Sequence, residues 1–190
     1  MKDKFILYSL KSFLLCIIVA WATLVFMFSS QNGATSSKLS GKVVEKVLFI
    51  KDKYEAIKEN YEENKEINFN IKPQKQITKS RIYRWQKLTR KIAHFLLYTI
   101  GGFSLYIFVY VFNGENKRII KNIITTLVLG IGYAITDEYH QRFTVGRAPG
   151  WFDVRIDSLG VITGIIFAII NLVLLNKIID YIYERRKVND

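Results

Sequence analysis

Hydrophobic positions in this chain gather into four long runs, at residues 5–28, 92–112, 119–136 and 156–175. A helix needs about 20 apolar residues to cross the roughly 30 Å of bilayer hydrocarbon, so the second and fourth runs predict transmembrane helices directly. The first run is also long enough, and Lys11 near its start can extend its ammonium to the headgroups. The third is the weakest, because Lys121 and Asn122 leave only residues 123–136 uninterrupted. It spans if it continues helically into Asp137 and Glu138, and is re-entrant otherwise. Between the first two runs, Leu39, Val43, Val47, Ile50, Tyr54, Ile57 and Tyr61 recur at three- and four-residue intervals among lysines and glutamates, which is the period of an amphipathic helix. Such a helix would lie on the membrane or cover the bundle; binding a partner is the alternative. After a polar stretch at 64–79 that contains Pro73, Ile82, Trp85 and Leu88 form a shorter stripe, with Trp85 placed as an interfacial anchor. The expected fold class is an all-α membrane protein. It is a single domain over residues 1–190, a bundle of four transmembrane helices with an amphipathic insert at 29–91 between the first and second.

Composition sharpens this picture. Half of the residues are hydrophobic, yet the formal net charge is +12, so the basic residues must sit apart from the apolar runs. With four spans, lipid headgroups are the natural partner of that charge. Nucleic acid is not expected as a partner, because no recognised nucleic-acid-binding motif accompanies the basic residues. Cys16, the single cysteine, lies inside the first run and can form no intramolecular disulfide. The first 28 residues resemble a secretory signal, but the apolar run is longer than a signal core. The polar Ser29-Ser30-Gln31-Asn32 follows it instead of a small-x-small cleavage site, so it reads as an uncleaved first span.

Four spans place their connections alternately on the two membrane faces. One face receives both termini and the turn at 113–121. The other receives residues 29–91 and the loop 137–155. Ser29-Ser30-Gln31 at the end of the first span, Arg90, Lys91 and His94 at the start of the second, Asp137 and Glu138 at the end of the third, and Asp157 at the start of the fourth all fall on that second face. The lysines and arginines around the termini and the short turn predict that both termini are cytoplasmic and the polar face extracytoplasmic. Against this, Lys79, Arg81, Arg84, Lys87, Arg90 and Lys91 crowd the other side, on a long loop that obeys the charge rule weakly.

Ionisable groups beside hydrocarbon are costly, so those at the span ends mark a candidate site. Arg90, His94 and Tyr98 follow i, i+4 spacing and share a helix face with Gly101 and Gly102, where a second helix could approach closely. His94 either orders the bundle through a carboxylate or acts in chemistry. Gln141 lies within a turn of both Asp137 and Glu138, and Asp153 and Asp157 share a face that continues through Gly160 and Gly164. The aspartates could simply pair with Arg142, Arg147 or Arg155. His94, Asp137, Glu138, His140, Asp153 and Asp157 are chemically able to hold a metal. There is no HExxH and no paired-cysteine spacing, and the arginines compete for the carboxylates, so no metal and no cofactor is expected. No serine sits in a GxSxG turn. The segment from Gly146 to Gly150 reads as a turn in which Arg147 could meet an anionic headgroup or a carboxylate.

These residues resemble the VanZ-like membrane proteins, a family named for an accessory determinant of resistance to the glycopeptide teicoplanin. The family pattern basic-Lys-x-x-His-Phe-x-x-Tyr, followed by a glycine within a turn, is met here from Arg90 and Lys91 through His94, Phe95 and Tyr98, with Gly101 after it. A second pattern falls on Asp137, Glu138, Gln141, Phe143, Arg147, Asp153, Asp157, Gly160 and Gly164, and Ser29-Ser30-Gln31 fits a Ser-x-Gln end to the first span. Many relatives carry an acidic residue just before the span-two tyrosine, where this chain has Leu97, and residues 51–79 are longer and more charged than the resemblance explains. The resemblance implies a multi-pass protein of the bacterial cell membrane that lowers susceptibility to teicoplanin-type antibiotics through an extracytoplasmic polar site. A lipoglycopeptide or a lipid-linked envelope component would be its ligand. Two alternatives stay open: an intramembrane enzyme on a lipid-linked envelope substrate, with His94 or Glu138 as acid/base, and a structural protein that binds a partner through residues 39–61.

Overall fold

The computed structural model describes residues 2–62, 79–113, 118–148 and 150–189. They form five helices: α1 (Lys2–Ser29), α2 (Gly33–Glu62), α3 (Lys79–Asn113), α4 (Ile119–Gln141) and α5 (Trp151–Asn189), with no strand among the described residues. Four are long and apolar enough to cross a membrane, over Lys4–Ser29, Ile82–Asn113, Ile119–Gln141 and Trp151–Arg186. The chain is an all-α, multi-pass membrane protein. The third run resolves toward its longer alternative, since α4 continues as helix through Asp137 and Glu138 to Gln141. The polar stretch at 64–78, with Pro73, lies outside the described residues, as do residues 114–117 of the short turn and Pro149 of the loop.

The chain divides into two units, Met1–Ser30 with His94–Asp190, and Gln31–Ala93. The first is built as membrane bundles must be. Lipid tails are as apolar as leucine, so burial of hydrocarbon gives no drive between helices; close packing and interhelical hydrogen bonds supply it instead. The core is accordingly narrow, formed by Trp21, Val25, Tyr98, Tyr106, Ala134, Val161, Ile165 and Ala168. Large side chains such as Phe13, Val128 and Phe167 remain exposed, toward what would be lipid. Gly160 and Gly164 bring α5 against the backbone of α3: a Cβ on Gly160 would lie 2.6 Å from the Phe95 carbonyl oxygen, and one on Gly164 would overlap the backbone of Thr99 and Phe103. Gly101 is covered by the Trp21 ring, which ties α1 to the same place. The indole Nε1 of Trp21 donates to the Leu97 carbonyl at 2.8 Å, and the Tyr133 hydroxyl donates to the Ala22 carbonyl at 2.6 Å. At the opposite end of α4, the fully buried Asn122 accepts from Asn113 Nδ2 at 2.7 Å.

In the second unit, α2 is the helix that the three- and four-residue spacing predicts. The stripe Leu39, Val43, Val47, Ile50, Tyr54 and Tyr61 is exposed. The buried face lies one residue round the helix, at Ser36, Ser40, Val44 and Leu48. Small residues explain the choice. Gly41 has Gln86 of α3 so close that a Cβ there would lie 2.8 Å from its Nε2, and Ser40 folds its hydroxyl back onto the Ser36 carbonyl at 2.9 Å. A face of Ser and Gly admits closer packing than one of Val and Tyr, and leaves the apolar stripe outward.

Candidate functional site

Within the first unit, the polar residues converge at the ends of α1 and α4 and the beginning of α5. Asp137 is buried on the last turns of α4, and its Oδ2 accepts from the Ser29 hydroxyl at 2.9 Å and, more weakly, from Gln141 Nε2 at 3.3 Å. Ser29 is the last residue of α1 and fully buried, so one short bond clamps the ends of two spans together. Gln141 reaches Asp137 because they are one helical turn apart.

Glu138 points in a different direction, as adjacent helical residues must. Its Oε1 accepts from the Gly150 backbone N–H at 2.7 Å, immediately before α5 begins. A carboxylate there meets the positive end of the helix dipole. Arg147 supplies the mirror image: its Nη2 donates to the Phe28 carbonyl at 3.0 Å, in the last turn of α1, where the dipole favours a cation. These two residues fix the connecting loop to the helix ends, and Gly146 takes the left-handed backbone (φ 74°) that its turn requires.

The centre of the cluster is His94. Its Nδ1 lies 3.6 Å from Asp157 Oδ1, which joins α3 to α5. Asp157 is 1% exposed, and neither of its oxygens has a partner at hydrogen-bond distance. Asp137 Oδ1 and the hydroxyl of Tyr98, a residue 0% exposed, are likewise buried without a hydrogen bond. Ligating atoms of His94, Asp137 and Asp157 all lie within 4.8 Å of one another. Behind them stand the rings of Trp21, Tyr98 and Tyr133, with Trp21 edge-on to Tyr98 at 5.7 Å between centroids and Tyr133 at 5.1 Å from Trp21. The arrangement is a small polar centre closed by aromatic rings and the helix-packing glycines Gly101, Gly160 and Gly164.

Placement of the remaining sequence candidates is mixed. Asp157 lies beside His94, which the sequence allowed to pair with a carboxylate, although arginines were the partners offered to the aspartate itself. Arg142 lies over the Tyr139 ring at 5.7 Å, and Arg155 is exposed. Asp153 stands in the first turn of α5, half-buried, with its N–H donating to the Gly150 carbonyl at 2.9 Å. Arg90 and Lys91 belong to the second unit. His140 stacks on Phe26 at 4.6 Å, with Nε2 3.2 Å from the Ser30 hydroxyl, at the edge of the cluster. Sequence reasoning did not single out Trp21 or Tyr133. Both are aromatic residues with a polar atom inside an apolar run, which predicts a buried hydrogen bond to another helix.

The VanZ/LLP1 family model matches residues 13–179, from within α1 to within α5. The chain belongs to the VanZ/LLP1 family. No curated protein and no solved structure matches it. The match covers every residue of the polar cluster, so the buried centre lies within the VanZ/LLP1 region of the chain.

Proposed function

We propose that this protein acts in the bacterial cell envelope and lowers susceptibility to teicoplanin-type glycopeptides through the polar cluster of His94, Asp137, Glu138, Arg147 and Asp157. Both termini are cytoplasmic in this reading and the cluster is extracytoplasmic, as the charge of the terminal segments favours. One observation carries the reading. At the ends of its spans the bundle brings together the buried carboxylates Asp137 and Asp157 and the half-buried His94. An ionisable side chain within a membrane segment is costly, about 2.5–3.5 kcal/mol at a helix centre by insertion scales, and such groups ordinarily mark function. Teicoplanin-type drugs carry a fatty chain and concentrate at the membrane surface. A polar centre beside exposed apolar helix faces suits such an amphiphile, or the envelope component that holds it.

The test compares teicoplanin and vancomycin susceptibility in a sensitive host expressing wild type, Asp137→Asn or His94→Ala at equal membrane levels. Protection selective for teicoplanin and lost in the variants supports the proposal; a wild type that gives no protection sinks it. The His94–Asp157 pair favours a second reading, an enzyme acting on a lipid-linked envelope substrate. A histidine oriented by a carboxylate is a competent acid/base, and His94 is the better candidate because Glu138 is engaged by the Gly150 amide. Unchanged lipid extracts on expression of the wild type would count against it.

A further inference from the structure

We infer that His94, Asp137 and Asp157 form a binding site for one divalent transition-metal ion, with Zn²⁺ or Mn²⁺ the best match to the donors. The inference rests on the geometry of the cluster and not on the antibiotic reading. It reverses the expectation drawn from sequence, which weighed these residues as ligands and set a metal aside for want of a metal-binding motif and because arginines compete for the carboxylates. Here the ligands come from three helices, α3, α4 and α5, and no linear motif could reveal them.

Four observations support it. The donor set is one imidazole and two carboxylates, with ligating atoms within 4.8 Å of one another. Two ligands each about 2.0–2.1 Å from a zinc ion stand roughly 3.4 Å apart at the tetrahedral angle. The His94 Nδ1–Asp157 Oδ1 separation of 3.6 Å is already close to that. Second, the donors are unsatisfied. Both oxygens of Asp157 and Oδ1 of Asp137 are buried with no hydrogen bond, as is the hydroxyl of the fully buried Tyr98, on which Asp137 acts more strongly than Asp157. Buried polar atoms normally have partners, and such a concentration of exceptions points to a bound group. Third, Asp137 is held from outside the centre. Ser29 and Gln141 both donate to Oδ2, which leaves Oδ1 for an ion, the arrangement by which supporting hydrogen bonds orient metal-bound carboxylates.

The fourth is charge. Asp137, Glu138, Asp153 and Asp157 are close enough to act on one another electrostatically, and the positive side chain acting on His94 from the loop is Arg147. Arg147 directs one guanidinium nitrogen to the Phe28 carbonyl, and Glu138 directs one oxygen to Gly150. A doubly charged ion between Asp137 and Asp157 would match the charge of those two carboxylates. Imidazole favours zinc, iron or nickel over magnesium or calcium, while the carboxylates admit manganese. Three protein ligands leave at least one position for water or for an oxygen of a bound headgroup.

The experiment uses the full chain purified in detergent, stripped with chelator and dialysed. Zn²⁺, Mn²⁺ and Co²⁺ are then titrated singly, with bound metal measured by mass spectrometry and Co²⁺ coordination by its visible absorption. The inference expects one ion per chain and a rise in melting temperature on loading. His94→Ala and Asp157→Asn should each weaken binding at least ten-fold. Ser29→Ala, which leaves all three ligands in place, should weaken it about ten-fold, the lower bound for loss of a supporting hydrogen bond. His140→Ala should leave it unchanged. Matched circular dichroism spectra of stripped wild type and variants separate lost binding from lost folding. Binding absent in a folded wild type, or equal in wild type and a folded His94→Ala, Asp157→Asn double variant, overturns the inference. Metal binding without antibiotic protection would leave it standing while the proposed function fails, and protection without metal binding would do the reverse.

Discussion

Replacing Gly160 by alanine adds one methyl group and should both loosen the bundle and disable the site. The new Cβ would lie 2.6 Å from the Phe95 carbonyl oxygen and 2.9 Å from Tyr98 Cβ, against 3.4 Å or more for an ordinary contact. The shortfall is about 0.8 Å, and the first obstacle is backbone, so no rotamer change relieves it; α3 and α5 must part. Overpacking of this kind costs about 1–3 kcal/mol, and the better helix propensity of alanine returns up to about 1 kcal/mol. With that gain taken off, the net expectation is a loss of about 0–2 kcal/mol, about 1–3 kcal/mol below an alanine that meets no neighbour. The same parting stretches the His94–Asp157 pair, now 3.6 Å, because His94 adjoins Phe95 and Asp157 lies one turn before Gly160. Gly132 is the control, since nothing lies within 4 Å of a Cβ there. Gly132→Ala should be neutral or stabilising by up to about 1 kcal/mol. Unfolding in mixed micelles of increasing SDS content, followed by circular dichroism, gives both numbers. Equal stability of Gly160→Ala and Gly132→Ala would refute the packing argument.

Three further outcomes follow from single contacts. Tyr133→Phe removes the hydroxyl that donates to the Ala22 carbonyl and should cost about 0.6–1.7 kcal/mol in the same micelle assay. Ser29→Ala removes the bond to Asp137 Oδ2 and leaves only the weaker Gln141 contact on that oxygen. Its stability loss should fall in the same range, about 0.6–1.7 kcal/mol, and its teicoplanin protection should drop by more than that of Tyr133→Phe at equal membrane levels. Asn122→Ala breaks the bond from Asn113 at the other end of α4, roughly 22 Å from Asp137 along the helix. It should destabilise additively with His94→Ala and leave susceptibility unchanged; strong non-additivity by thermal melt would contradict the separation.

Much of this architecture was legible in the sequence because lipid imposes simple rules. Length and apolarity marked four spans, and alternation of connections placed Ser29, His94, Asp137 and Asp157 on a common face before any contact was known. The i, i+4 relation of His94 to Tyr98 and the four-residue interval between Gly160 and Gly164 had direct structural counterparts. What escaped was which side chain meets which. Three arginines were open to Asp157, and an unspecified carboxylate to His94; the two meet each other across the close approach of α3 and α5 at Gly160. In α2 the apolar stripe with Val43 and Val47 lies outward, as a helix resting on a membrane presents it, while the small residues Ser36, Ser40 and Gly41 take the packed face, which hydrophobic periodicity does not reveal. Trp21 and Tyr133 carry no charge and so drew no notice, yet their polar atoms bond to other helices beside the centre.

A double-mutant cycle on His94→Ala and Asp157→Asn, read in both micelle unfolding and teicoplanin susceptibility, tests the central claim most directly. If the two residues form one functional centre, the cycle gives a coupling of about 0.6–1.7 kcal/mol. Either single substitution then removes as much protection as both together. Additive stabilities, with protection intact in the single variants, would contradict the account.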